Sequence, residues 1–100
     1  MADFGITATA PGRLEARGAM SYASAAKALQ AGLALIPHGV ECTIDLSNVT
    51  EADSAGLAVL VEWLATGRVR RTRIHYEGIP AQILAVARIS DLDELLTDGK

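Results

Sequence analysis

The sequence predicts a single α/β domain, residues 1–100, in which helices pack on a mixed β-sheet. Its length of 100 residues suits one hydrophobic core. Short β-branched segments alternate with segments of helical periodicity, and a Pro11-Gly12 turn joins the first two strand-like segments. Strand–helix–strand units favour parallel pairing, and an opening hairpin adds an antiparallel strand. The expected order is therefore an N-terminal hairpin followed by βαβαβα.

The first half of the chain contains the predicted hairpin, a helix and a buried strand. The hairpin spans residues 4–18, FGITATAPGRLEARG, with partial alternation in both arms. Apolar residues then recur with the helical period over residues 21–36, and Pro37 ends this helix. The β-branched centre of ECTIDL predicts a buried strand over residues 41–46. The segment SNVTEAD, residues 47–53, is expected to be a loop.

The second half of the chain repeats the alternation of helix and strand. An almost wholly apolar helix is predicted over residues 54–67, and TRIHYEG predicts a strand at residues 72–78. The segment PAQILAVARI, residues 80–89, opens with proline at a first-turn position and predicts a third helix. Leucines at helical spacing in DLDELL, residues 91–96, predict a short terminal turn or helix.

Charge and hydropathy restrict the partners and the compartment. The formal net charge of −3 argues against nucleic acid as the main partner. No uncharged stretch approaches the roughly 20 apolar residues needed to span a bilayer, and the N-terminus lacks the pattern of a signal peptide. The single cysteine excludes an intrachain disulfide. We expect a soluble, cytoplasmic protein that does not insert directly into the membrane.

One segment of this acidic chain is strongly basic. Residues 68–73 carry Arg68, Arg70, Arg71 and Arg73, which are four of the nine basic residues. Such a run is either a solvated turn leading into a strand or a contact for an acidic partner or for anionic lipid headgroups. The sequence leaves its role open.

Residues with catalytic potential are few. Asp45, Glu51 and Asp53 are carboxylates that could hold Mg²⁺ near a strand end. However, no lysine stands at a matching strand end and no glycine-rich phosphate loop occurs. Ser54 lacks the G-x-S-x-G context of a nucleophile elbow, and the two histidines have no ligand-like spacing. We therefore expect no enzymatic activity, no metal and no cofactor.

The start of the second helix is the most informative turn of the chain. Asp53 is a candidate N-cap, which places Ser54, Ala55 and Gly56 in the first turn. Free backbone N–H groups and the positive end of the macrodipole converge there, so a phosphoryl group on Ser54 would be stabilised. Ordinary capping is the simpler explanation of the Asp-Ser pair. Gly56 lowers helix propensity by about 1 kcal/mol relative to alanine, which indicates either a close backbone approach or a loose first turn.

The helix that follows has few polar residues to present to solvent. Its predicted sheet-facing side comprises Leu57, Leu60, Val61 and Leu64. The opposite side comprises Ala55, Val59, Glu62 and Thr66, with Ala58 and Trp63 on the flanks. A weakly polar outer side predicts a docking surface, and the tryptophan is either partly buried packing or a binding anchor. The candidate partner-binding residues are Asp53, Ser54, Ala55, Gly56, Val59, Glu62 and Trp63.

The segment IDLSNVTEADSAGLAVL resembles the signature of STAS domains. In that signature a strand ending in Asp-Leu-Ser leads to an Asp-Ser/Thr-x-Gly-Leu turn and a helix. The matching positions are Asp45, Leu46, Asp53, Ser54, Gly56 and Leu57. The predicted element order also fits, so the resemblance implies a STAS fold over nearly the whole chain.

Two groups of STAS proteins come into question. In anti-sigma factor antagonists the phosphorylated residue typically precedes the turn glycine directly, and this position is Ala55 here. The accessory STAS subunit of the lipid-asymmetry (Mla) ABC transporter tends to carry its serine or threonine one residue earlier, as Ser54 stands here. The stretches GLAVLVEWL and residues 78–96 fit the same group.

The transporter resemblance implies a non-catalytic subunit that binds the cytoplasmic ATPase of a phospholipid ABC transporter. Such a subunit supports the assembly or activity of the ATPase, which acts together with a membrane permease. It would be cytoplasmic and held at the inner face of the membrane through its partner. The alternative is an anti-sigma factor antagonist that binds an anti-sigma factor or serine kinase in a partner-switching pathway.

Overall fold

The element order follows the predicted alternation. In this computed structural model, which describes residues 3–98, the elements are β1 (Gly5–Ala10), β2 (Arg13–Met20), α1 (Ala25–Leu35), β3 (Glu41–Ala52), α2 (Ser54–Val69), β4 (Arg73–Glu77), α3 (Ala81–Ile89) and α4 (Asp93–Asp98). The strands form one sheet in the order β1-β2-β3-β4. The pair β1–β2 is antiparallel, and β3 is parallel to both β2 and β4. The predicted fold class, a small α/β domain with a mixed sheet, is confirmed.

Alternation along the strands separates a core face of the sheet from an open face. On β3, Cys42, Ile44 and Leu46 are buried, whereas Thr43 and Asp45 between them are partly exposed. Successive side chains of a strand point to opposite faces, so one face packs under the helices and the other remains polar. On the open face Arg13 donates to the Glu77 carboxylate at 2.7 Å. This bond spans β3 and ties β2 to β4.

Strand β3 continues beyond its predicted end at Leu46. The segment predicted as a loop, residues 47–53, is strand as far as Ala52. It pairs with the last residues of β2, including Gly18 with Val49 and Met20 with Ala52, across two register shifts. Asn, Glu and Ala have low strand propensity, but pairing with β2 satisfies their backbone groups and outweighs that preference.

Helix α1 begins later than predicted. Residues 21–24 form a turn in which the Ser24 hydroxyl donates to the Ala19 carbonyl at 2.7 Å, and the helix starts at Ala25. Tyr22, which the periodicity places on the helix, lies outside it and is 87 % exposed. Within residues 3–98, none of the helices has both the length and the apolar character that a bilayer crossing requires.

Candidate functional site

The Asp53 carboxylate organises the turn at the start of α2. One carboxylate oxygen accepts the backbone N–H of Ala55 at 2.8 Å, and the other accepts the N–H of Tyr22 at 3.1 Å. The first bond is the N-cap expected from the sequence. The second joins the start of α2 to the turn before α1. A single side chain therefore fixes two segments that are 31 residues apart.

The two residues that follow the cap have different surroundings. Ser54 is exposed at the first position of α2. Gly56 is buried, and a Cβ atom there would lie 2.5 Å from the carbonyl oxygen of Met20. Of the two explanations for this glycine, close backbone approach is therefore correct. The start of α2 sits directly on the end of β2 because position 56 carries no side chain.

An apolar groove of about 370 Å³ begins beside this turn and runs between α1 and α2. Its lining residues are Tyr22, Ala25, Ala26, Leu29, Ala55, Ala58, Val59 and Glu62. The alanines keep the groove open, because a longer side chain at any of their positions would occupy part of it. A groove of this size can accept one or two partner side chains.

The placement of Val59 on the outward side of α2 is wrong, and Trp63, placed on the flank, is packed inside the domain. Both are buried, with 4 % and 0 % of their surface exposed, whereas Val61, assigned to the sheet face, is only partly buried. The prediction assumed that α2 packs on the sheet alone. In the structure α1 also packs against α2, which widens the buried side of the helix. Much of the weakly polar outer side is therefore internal packing.

Trp63 holds α1 against α2. Its indole N–H donates to the Leu29 carbonyl at 3.4 Å, and its ring lies 6.3 Å from the Phe4 ring. A methyl group at Gly32 would overlap the indole, so this glycine of α1 provides the space that the ring fills. Trp63 thereby sets the separation of the two helices that form the groove.

Comparison with known proteins identifies the family of the chain. Residues 7–97 match the family described as "Mlab, STAS domain". The chain belongs to the STAS family. STAS domains are generally non-catalytic and act through protein–protein interaction. No curated protein matches the chain at a significant level.

The STAS domain brings most of the predicted site residues to the capping turn of α2 and to the groove beside it. Asp53 and Ser54 form the capping turn, and Ala55, Val59 and Glu62 line the groove beside it. Gly56 faces β2 and Trp63 lies beneath α1, so both support the site from within. The groove residues that the sequence did not indicate are Tyr22, Ala25, Ala26, Leu29 and Ala58.

The carboxylates considered for a metal site have separate roles. Asp45 accepts the hydroxyl of Ser47 at 2.7 Å and its N–H at 2.9 Å. These bonds, together with nearby Arg13, lower the pKa of the Asp45 carboxyl. Glu51 is exposed, and Asp53 caps α2. Across residues 3–98, no three His, Cys, Asp or Glu side chains are grouped to hold a metal ion.

Removal of the Asp53 carboxylate is expected to destabilise the domain moderately. An Asp53→Ala variant should lose about 1 kcal/mol of unfolding free energy, because the cap of α2 is lost. Asp53→Asn keeps one acceptor oxygen for the Ala55 N–H, so its loss should be less than half as large. Urea denaturation followed by circular dichroism measures both. Equal losses for the two variants would show that the charge of Asp53 or its bond to the Tyr22 N–H, rather than the cap on Ala55, is the main contribution.

Proposed function

We propose that this STAS domain is the accessory subunit of a phospholipid ABC transporter of the lipid-asymmetry (Mla) type. In this role it binds the cytoplasmic ATPase subunit and supports assembly or activity of the ATPase–permease complex. It catalyses no reaction itself and lies at the inner face of the membrane through that partner. The observation that carries the proposal is the apolar groove that opens beside the Asp53-Ser54 turn.

The groove has the features of a protein-binding surface. Its lining is almost entirely apolar, and the aromatic side chain at its rim, Tyr22, is 87 % exposed. An exposed tyrosine beside a pocket of small residues is a favourable binding anchor, because it buries a large area for little conformational entropy. Glu62, also on the lining, offers a carboxylate to a basic residue. The surface therefore suits an apolar helix of the ATPase that carries a lysine or arginine near one end.

The residue before Gly56 favours the transporter over partner switching. This position holds Ala55, which has no hydroxyl to accept a phosphoryl group. The neighbouring Ser54 is exposed and is the candidate for modification. Its phosphate would be stabilised by the start of α2 but would have to be desolvated when an apolar partner docks. Phosphorylation of Ser54 would therefore weaken the complex without unfolding the domain.

Affinity purification from the native host tests the identity of the partner. The tagged protein, extracted from membranes in mild detergent, should recover an ABC ATPase together with its permease. Recovery of a serine kinase or anti-sigma factor under the same conditions, without the ATPase, would assign the protein to partner switching instead.

A charge placed in the groove should weaken binding to the purified ATPase by about tenfold or more, because the charge must be desolvated on docking. Ala58→Lys provides this charge at an exposed lining position, where it can also pair with Glu62 four residues on. Ala65→Lys is the matched control. Residue 65 is also exposed and lies on the same side of α2, two helical turns away and outside the groove lining.

Titration of both lysine variants with the ATPase, beside thermal melts, decides whether the groove is the interface. We expect wild-type binding for Ala65→Lys and unchanged stability for both proteins. Full binding by Ala58→Lys would place the interface elsewhere on the domain.

A further inference from the structure

The end of the domain opposite the capping turn concentrates arginines. Helices α1 and α2 each connect two parallel strands, so their C-terminal ends lie at the end of the sheet where β3 and β4 begin. The first turn of α3 lies beside the first turn of α2, where Ile83 approaches Gly56, so α3 runs in the same direction as α2. Arg68 and Arg71 are exposed there at the end of α2, Arg73 at the start of β4, and Arg88 at the end of α3. Residues 63–76 contain four arginines and no acidic residue. This arginine-rich end is therefore locally basic in a chain of formal charge −3.

One arginine of this end has an internal role. Arg70 donates to the carbonyl oxygens of Leu33 at 2.7 Å and Ile36 at 2.8 Å, and so closes the C-terminus of α1. Among the side chains of residues 3–97, the ion pairs involve Arg13 only, so none of the four exposed arginines is in direct contact with an acidic side chain of these residues. The nearest elements contribute the acidic residues Glu41, Asp91, Asp93 and Glu94. Five arginines exceed these four carboxylates.

Aliphatic side chains project from the same end. Val69 is 85 % exposed at the C-terminus of α2, and Ile89 is 86 % exposed at the C-terminus of α3. Val40, before β3, is 49 % exposed. Each aliphatic residue of the two helices follows directly on an arginine, Arg68 or Arg88. The last turn of each of these two helices therefore presents an arginine and an exposed aliphatic side chain.

The backbone conformation at Arg71, at this end of the domain, is unusual for a residue that has a side chain. Its φ of 58° lies in the left-handed region that favours glycine. A side chain in this conformation costs roughly 1–2 kcal/mol, yet an arginine occupies it. An Arg71→Gly change would therefore remove the charge while easing the backbone, which makes it a clean variant for a test.

We propose that the arginine-rich end rests on an anionic phospholipid surface. The guanidinium groups of Arg68, Arg71 and Arg88 bind lipid phosphate oxygens in paired hydrogen bonds. Val69 and Ile89 enter the boundary between headgroups and acyl chains. An acidic protein surface would satisfy the arginines alone, whereas a lipid interface accepts both the cations and the protruding aliphatic groups.

This contact is independent of the transporter proposal. Helix α2 has 16 residues and spans about 24 Å, so the capping turn lies well away from the lipid-facing end, and the last groove residue of α2, Glu62, lies about two turns before Val69. A protein partner can occupy one end of α2 while the other end lies on headgroups. The net negative remainder of the domain is repelled by an anionic membrane, which favours this single orientation.

Vesicle co-sedimentation tests the proposal. The full chain should bind vesicles that contain phosphatidylglycerol and should not bind pure phosphatidylcholine vesicles. Each arginine removed should weaken binding about fivefold, so Arg68→Gln, Arg71→Gly and Arg88→Gln together should weaken it about a hundredfold. Val69→Ser with Ile89→Ser should also weaken binding, with all arginines in place. Thermal melts establish that every variant is folded.

A matched pair of charge removals serves as the control. Arg17→Gln with Lys27→Gln removes two exposed cations away from the arginine-rich end and should leave vesicle binding within about twofold of the wild type. An equal loss in this control, or no binding to phosphatidylglycerol at all, would overturn the proposal. The proposal would also be overturned if soluble polyglutamate bound the protein as tightly as the vesicles do, and bound the Val69→Ser, Ile89→Ser variant equally well. That result would assign the surface to an acidic protein.

Discussion

Replacing Trp63 with alanine is expected to lower the free energy of unfolding by about 3–5 kcal/mol. The indole is fully buried, lies against Gly32 and Phe4, and donates its N–H to the Leu29 carbonyl. Its removal leaves a cavity between α1 and α2 that the backbone cannot close completely. Because small domains have total stabilities of about 5–15 kcal/mol, this loss is a large share. Trp63 is the only tryptophan, so circular dichroism in urea is the appropriate measurement.

A Trp63→Phe variant separates packing from hydrogen bonding. Phenylalanine keeps an aromatic ring between the two helices but loses the N–H group, so the expected loss is smaller, about 1–2 kcal/mol. Binding of the ATPase should decline in the alanine variant only because part of the protein is unfolded or because the groove is wider. A Trp63→Ala protein as stable as the wild type would contradict the role of Trp63 as a packed core residue.

The fold was predictable because its signals are local. Pro11-Gly12 marks the hairpin turn, Pro37 follows α1, and each helix and strand carries its own periodicity. The second half of β3 was not predictable in this way. Residues 47–52 have side chains typical of a loop, and they become strand only because β2 continues to Met20 and offers its backbone groups. The paired residues are more than thirty positions apart in the sequence, so residues 47–52 do not themselves show a strand pattern.

The candidate site likewise has one part that was predictable from local sequence and one part that was not. The cap at Asp53 is a local interaction with the Ala55 N–H two residues on, and the sequence indicated it correctly. The groove is formed by two helices. Its α1 side could not be predicted from local sequence, because it depends on the packing of α1 against α2 around Trp63. The exposed Tyr22 was misplaced because the turn of residues 21–24 contains residues that also fit a helix. A helical wheel shows which residues share a side, but it cannot show how many neighbours cover that side.

Substitution of Gly56 by alanine is expected to destabilise the domain by about 2 kcal/mol, although helix propensity alone predicts the opposite sign. Propensity favours alanine by about 1 kcal/mol. However, the new Cβ atom would lie 2.5 Å from the Met20 carbonyl oxygen and 3.1 Å from the Cδ1 atom of Ile83. The carbonyl belongs to the paired strand β2 and cannot rotate away, so α2 must shift outward at a cost of about 3 kcal/mol.

The sign of the change at Gly56 is therefore the test. Thermal melts should give a midpoint lower by roughly 8–16 °C, whereas a loosely packed first turn would give a higher one. Ala58→Gly, half a turn along the same helix at an exposed position, measures the propensity effect without the clash and should cost about 1 kcal/mol.

The outward shift of α2 in the Gly56→Ala protein also moves Ala55 and Val59 relative to α1, so ATPase binding should fall even at temperatures where the variant is folded. A variant that is more stable than the wild type and binds normally would show that the contact between α2 and the end of β2 is dispensable.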